Sequence, residues 1–169
     1  MSIVLVEHRA EWECLFESMK AKIVSLTQNA SIVDIQHVGS TAVEGLYAKP
    51  IVDIAIGLRS FAALPDVLSV LDQIGYVPWH SASDRITVQL RDNEDVGIHQ
   101  VHLVIHNSSR CIDQLYFRDY LRTNEQAKNE YAKLKLALAA KHTDTRIYSE
   151  EKTPFIRDVL KNRDGGNQQ

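Results

Sequence analysis

Apolar positions recur with two different periods along the chain, and the change of period divides it. In Asp84–Arg91, residues Ile86, Val88 and Leu90 face one way while Arg85, Thr87, Gln89 and Arg91 face the other. In Ile98–Ile105, His99, Val101, Leu103 and Ile105 share one face and Gln100, His102 and Val104 the other. Alternation of this kind marks half-buried strands. The polar link Asp92–Gly97 predicts a hairpin between the two. Ile32–Val38 and Pro50–Leu58 are denser apolar runs and predict central strands, and Tyr76–Trp79 predicts a short one. Ile3–Val6 fits either a short edge strand or an extended arm.

Helical spacing appears elsewhere. Trp12, Leu15, Phe16, Met19 and Ile23 form the apolar stripe of a helix over about Ala10–Leu26, with Trp12 as a core anchor. Ser60 predicts a cap for a helix over Phe61–Gln73, ended by Gly75. After Ser109 the pattern stays helical. One helix is expected over Arg110–Arg122, capped by Ser108 or Ser109, and a second over Glu125–Lys141. A third region begins near Thr145. Pro154 is expected to interrupt it, with Thr153 capping a restart over Phe155–Lys161, because an interior proline removes a hydrogen bond and crowds the preceding turn. Strands early and helices late make the class α+β: a mixed sheet, helices against one face, and a C-terminal helical segment.

Composition narrows the partners. The 169 residues form a natural single domain, read as 1–164 with a polar tail at 165–169. A net charge of −3 gives no general attraction to nucleic acid or anionic membrane. No apolar run approaches the length of a membrane helix, and the first residues lack the basic flank of a signal peptide. Cys14 and Cys111 lack metal or disulfide spacing and read as reduced core thiols of a cytoplasmic protein.

Candidate chemistry gathers in His37–Leu58, HVGSTAVEGLYAKPIVDIAIGL. Gly39 permits a sharp turn or the close approach of a ligand. Ser40 and Thr41 supply hydroxyls, and the amides after them can cradle an anion. Asp53 sits within Ile51–Ile56, where a carboxylate is costly unless paired, hydrogen-bonded or bound to a cation. Strand alternation puts Asp53 and Ala55 on one face. Asp53 either contacts a ligand or metal, or only caps amides near Gly39. His37 either orients the turn or lines a cleft. Lys49 either meets a phosphate or is a solvated loop lysine. Arg118 and Arg122 share a helical face with Asp119 between them, which fits a phosphate clamp or a surface ion pair. Tyr131–Lys135 and Tyr148–Lys152 repeat a spacing of four, which fits helix-on-helix packing or a ligand role.

Gly39-Ser40, a spacer and an acid in an apolar strand resemble the signature of the nucleotidyltransferase superfamily. His37–Thr41 with Ala48–Asp53, and Phe117–Arg122, resemble the GrpB family within it. That family is widespread in bacteria, and a related domain is fused to some bacterial dephospho-coenzyme A kinases. The resemblance implies a nucleotidyltransferase-like sheet with an open polar cleft. It also implies a nucleotide or related phosphorylated small molecule held by Gly39, Ser40, Thr41, Lys49, Arg118 and Arg122. The superfamily pattern has two acids at alternate positions on one strand and a third on its neighbour. Asp53 matches the first, Ala55 stands at the second and His102 at the third. Catalysis would fall to Asp53 and His102, which could also hold a divalent metal such as Mg, Mn or Zn. The lost acids leave open a non-catalytic module that binds a nucleotide or coenzyme A-type ligand, or an interaction domain with a relic cleft.

Overall fold

The computed structural model describes residues 3–27, 31–91 and 98–165. Five strands form one mixed sheet: β1 (Ile32–Val38), β2 (Ile51–Leu58), β3 (Val77–Ala82), β4 (Arg85–Arg91) and β5 (Ile98–Ile105), in the order β1-β2-β5-β4-β3. The central pair β2 and β5 is parallel; every other neighbouring pair is antiparallel. The β4–β5 pairing has the expected hairpin sense, while the link 92–97 lies outside the described residues.

Period two decides what each face carries. Val52, Ile54, Ile56, Val101, Leu103 and Val88 point to one side and are buried against helices α1 (Glu11–Leu26) and α2 (Leu64–Ile74). Trp12, Phe16 and Ile23 from α1 and Val67 and Leu71 from α2 complete that core. Cys14 lies on the outer side of α1 and is exposed; of the two cysteines expected in the core, only Cys111 is buried there.

The other face is covered at one end rather than left open. Helices α3 (Ser109–Thr123), α4 (Glu125–Lys141) and α5 (Thr145–Gly165) form a second core with the loop after β1, built on Val43, Leu46, Leu121 and Tyr131. Ser108 caps α3 through the Cys111 amide, and Asn124 caps α4 through the Ala127 amide. These helices wall the polar face of the sheet, and the space between wall and sheet becomes the cleft.

Several boundaries depart from the expected ones. Helix α5 runs unbroken through Pro154. Pro154 is exposed, so its ring lies on the solvent side, and the carbonyl it leaves unpaired belongs to exposed Glu150 and can be hydrated. Thr153 is no cap; its hydroxyl donates to the Ser149 carbonyl one turn back. Ser60 makes no capping bond, because a 3-10 turn at Phe61–Ala63 intervenes and Pro65 opens α2, where its missing N–H costs nothing. The edge strand β3 runs from Val77 to Ala82, while Tyr76 drops into the core. Ile3–Val6 forms no strand; a single antiparallel bridge ties Val6 to Ala48. Gly165 closes α5, and the rest of the expected tail lies outside the described residues.

Candidate functional site

Register builds the centre of the site. Val38, at the end of β1, pairs with Asp53, and Asp53 pairs in turn with Gln100 of β5. Gly39 is therefore delivered beside the Asp53 side chain. It has φ +73° and ψ −170°, a region open essentially to glycine alone. A Cβ placed there would overlap the Asp53 carboxylate, with the carboxyl carbon only 3.1 Å away. Close approach and backbone conformation both demand glycine.

His102 lies diagonally across from Asp53 on the same face. Its Nε2 donates to Asp53 Oδ1 at 2.9 Å, and its Nδ1 meets the Thr87 hydroxyl at 3.2 Å. Both ring nitrogens are thus engaged. Ala55, at the position of a second acid, is buried and pairs with His102 across the strands.

The cleft is a cavity of about 240 Å³ beside Gly39, Ser40 and Asp53, closed by Lys49, Lys135 and Lys152. Lys135 of α4 is 1% exposed. Its ammonium donates to Ser40 Oγ at 3.0 Å and to the Tyr47 carbonyl, and lies 4.9 Å from the centre of the Tyr131 ring. Lys152 of α5 sits 4.2 Å over the Tyr148 ring, and Lys49 approaches the same ring at 5.8 Å. Among the described residues, none of these three lysines has a carboxylate within 4 Å. Burial, reinforced by Lys152, lowers Lys135 to about 7. Burial and then Lys49 lower Lys152 to about 8, against the pull of Asp53. Burial pushes the Tyr148 hydroxyl up to about 12, so it remains a neutral donor.

The sequence-predicted residues do not all converge. Gly39, Ser40, Lys49, Asp53 and Arg118 line the cavity. The Arg118 guanidinium is already spoken for: it donates to both oxygens of Asp119, to Gln36 Oε1 at 2.8 Å and to the His37 carbonyl at 2.9 Å. It pins α3 to β1. Arg122 belongs to a separate groove with His8, Glu13 and Lys128, and donates to the Ala42 carbonyl. Arg118 and Arg122 therefore form no joint clamp. Thr41 borders that second groove; its hydroxyl donates to the Ile51 carbonyl and lies 3.0 Å from His37 Nε2. His37 is stacked on Phe16 and held between Thr41 and Glu13. Those contacts make it a support for the turn rather than part of the cavity lining, and burial lowers its pKa despite Glu13.

Lys135 and Lys152 were not singled out as site residues by the sequence. Their signal was the repeated Tyr–Lys spacing of four, which equally describes packed helices.

A divalent metal does not fit this donor set. One carboxylate and one imidazole are bonded to each other, and Ala55 offers nothing. Among the described residues no three His, Cys, Asp or Glu side chains gather to hold an ion. The other ionisable groups that carry charge on the cavity wall, Lys49, Lys135, Lys152 and Arg118, are all basic, against the single carboxylate of Asp53. A second positive ion would enter an unfavourable field.

Known proteins with the same features set this geometry in context. No helix among the described residues is long and apolar enough to cross a membrane. A family model described as GrpB protein matches residues 2–162. The glutamate-rich protein GrpB of Alkalihalophilus pseudofirmus is 32% identical over 169 residues, covering 94% of each chain. A UPF0157 protein of Halalkalibacterium halodurans is 30% identical over 161 residues, covering 95% of this chain and 82% of its own. The crystal structure of conserved protein GrpB from Enterococcus faecalis superposes with a TM-score of 0.80 at 26% identity, covering 94% of this chain and 96% of that one. The Cid1 poly(U) polymerase, solved with MgGTP bound, superposes with a TM-score of 0.55 at 11% identity, covering 79% of this chain and 44% of its own. At that identity the likeness is one of fold, and the fold is nucleotidyltransferase-like. Matched from residue 2 to residue 162, the chain belongs to the GrpB family.

Proposed function

We propose that this protein binds a nucleotide or a related phosphorylated small molecule in the cavity between Gly39–Ser40 and Asp53. The observation that carries this reading is the set of three lysines without carboxylate partners around one cavity. Buried cations are costly, and an anionic ligand offsets that cost. The fold adds support, since the Cid1 neighbour is described with MgGTP bound. The cavity of about 240 Å³ falls below the roughly 300–1,000 Å³ of sites that engulf a drug-sized ligand. It therefore holds the phosphate end and leaves the rest of the ligand at the mouth.

Binding without nucleotidyl transfer is the form of this reading that two observations favour. Ala55 stands where a second acid would be, and Asp53, the one remaining acid of the pattern, is already bonded to His102 rather than free to hold an ion. A thermal-shift panel of nucleotides and coenzyme A precursors, each run beside its dephosphorylated form, tests the proposal. Phosphorylated compounds should stabilise the protein, by about 2.7 kcal/mol at 100 times Kd, and their dephosphorylated forms should not. Equal shifts from both forms, or none from either, would overturn it. Pyrophosphate release from a nucleoside triphosphate would overturn the non-catalytic form alone.

A further inference from the structure

We propose, resting on the reading above, that the cavity seats the phosphate of its ligand directly on Lys135, Lys152 and Lys49, with no divalent ion between them, and takes up protons as the ligand enters. In nucleotidyl-transfer sites generally, metal held by carboxylates neutralises the phosphate oxygens. Here the acids that would hold it are reduced to Asp53, already bonded to His102, and the charge of the wall has the opposite sign. Three ammonium groups from three separate segments converge instead: Lys49 from the loop before β2, Lys135 from α4 and Lys152 from α5.

The geometry of Lys135 fits a seat rather than a strut. Once protonated, Lys135 gives two of its three donors to Ser40 Oγ and the Tyr47 carbonyl, and the third remains for the cavity it lines. One of those two acceptors, Ser40, is itself at the cavity wall, so lysine and hydroxyl present donors side by side. Arg118, committed to Asp119, Gln36 and His37, holds the wall in place.

Proton uptake follows from what surrounds these groups. Lys135 faces the Ser40 hydroxyl, the Tyr47 carbonyl, the Tyr131 ring of its own helix and Lys152 of α5. Lys152 faces the Tyr148 ring, Lys49 and, more distantly, Asp53. Apart from Asp53, every charge in that list is positive. In the empty cavity burial and mutual repulsion lower both amines, to about 7 for Lys135 and about 8 for Lys152, so that near pH 8 both are partly neutral. A phosphate dianion reverses the sign of the dominant interaction and recharges both.

Isothermal titration near pH 8 with inorganic phosphate and with ADP, in chelator and in excess Mg²⁺, tests this directly. Binding in chelator should match or exceed binding in Mg²⁺. The heat should vary with buffer ionisation enthalpy in the sense of proton uptake. Lys152→Met should weaken both probes tenfold or more. Lys135→Met, checked for a native melting transition, should do the same and reduce the proton uptake. Binding of either probe only when Mg²⁺ is present would overturn the inference and leave the proposed function standing. Full affinity in Lys152→Met, or heats independent of buffer, would overturn it as well. Failure of both probes in every condition would sink the inference; if nucleotides or coenzyme A precursors had also failed in the thermal-shift panel, it would sink the proposed function with it.

Discussion

The two faces of this one sheet are built from alternate residues of the same strands, yet they obey different economies. On one face Ile54, Val101 and Leu103 are wholly buried and meet only other apolar side chains from α1 and α2. On the other, Asp53, bonded to His102, and Gln100 look across a cavity at lysines from α4 and α5. The first face stabilises the molecule. The second holds charge that water is kept from solvating, and its cost is carried by the first. The hydrophobic face is continuous and local in its logic. The polar face is completed by residues distant in sequence, as with Ser40 and Lys135, 95 positions apart.

The comparison predicts opposite outcomes for truncation on the two faces. Ile54→Ala should destabilise the fold by about 2–5 kcal/mol, as large-to-small changes in a packed core do, and leave phosphate affinity unchanged in the surviving folded protein. A urea midpoint that barely moves would break the assignment of this face. Gly39→Val comes next, because it touches both economies. Its positive φ costs of order 1–3 kcal/mol in a non-glycine residue, and the new side chain must also displace the Asp53 carboxylate. It should lower the melting temperature and abolish phosphate binding together. A normal melt with normal binding would show that the turn after Val38 tolerates a side chain.

Those two positions were legible in the chain for the same reason: each answers to a local rule. Alternation within each strand depends only on neighbouring residues, and it separated Asp53 from Ile54 and His102 from Leu103 before any pairing was known. Gly39 stood out because turns select residues by backbone conformation. Pro154 misled, because whether a proline breaks a helix depends on which side of the helix faces solvent, and that is a tertiary fact. Lys135 and Lys152 were hidden for a related reason. A lysine four residues after a tyrosine looks the same whether it points to water or into a cavity. Arg118 and Arg122 share a helical face, but β1 claims the first and the Ala42 carbonyl the second, so helical spacing alone overstated the clamp.

A smaller effect should separate the faces by pH. Lys135 has a folded-state pKa of about 7, below its value of 10.5 in the unfolded chain. The unfolded state therefore binds more protons between those values, and stability rises as pH rises through that window. The penalty is present in full below about pH 7 and has gone by about pH 10.5. Lys152, lowered to about 8, adds the same sign over a narrower range. Melting curves from pH 7 to 9.5, without ligand, should show this rise before alkaline effects intervene. Lys135→Met should flatten it and melt at or above the wild-type temperature at pH 7. A steep rise retained in Lys135→Met and Lys152→Met alike would place its source elsewhere.

The smallest effect on stability should come from Asp53→Asn, and it gives the sharpest distinction between the faces' roles. The replacement keeps the shape of the side chain and an oxygen to accept from His102 Nε2, so its packing against Gly39 survives. Stability should change by about 1 kcal/mol, because a charged acceptor is replaced by a neutral one in a hydrogen bond that stays made, at a carboxylate 25% exposed. Ligand affinity should move the other way. Asp53 is the one carboxylate among the charged residues that line the cavity, the others being lysines and an arginine, and removing it takes away repulsion toward an arriving phosphate. At separations of a few ångströms in a well-solvated mouth that repulsion is worth up to about 1 kcal/mol, so affinity for inorganic phosphate should rise about threefold to fivefold. A site that used Asp53 to hold a metal against the phosphate would show the reverse, with affinity falling sharply and only in the presence of the ion. Titration of the variant with and without Mg²⁺ therefore asks one question of one residue: whether this carboxylate faces the ligand as an opponent, as the lysines around it imply, or as the anchor of a bridging ion.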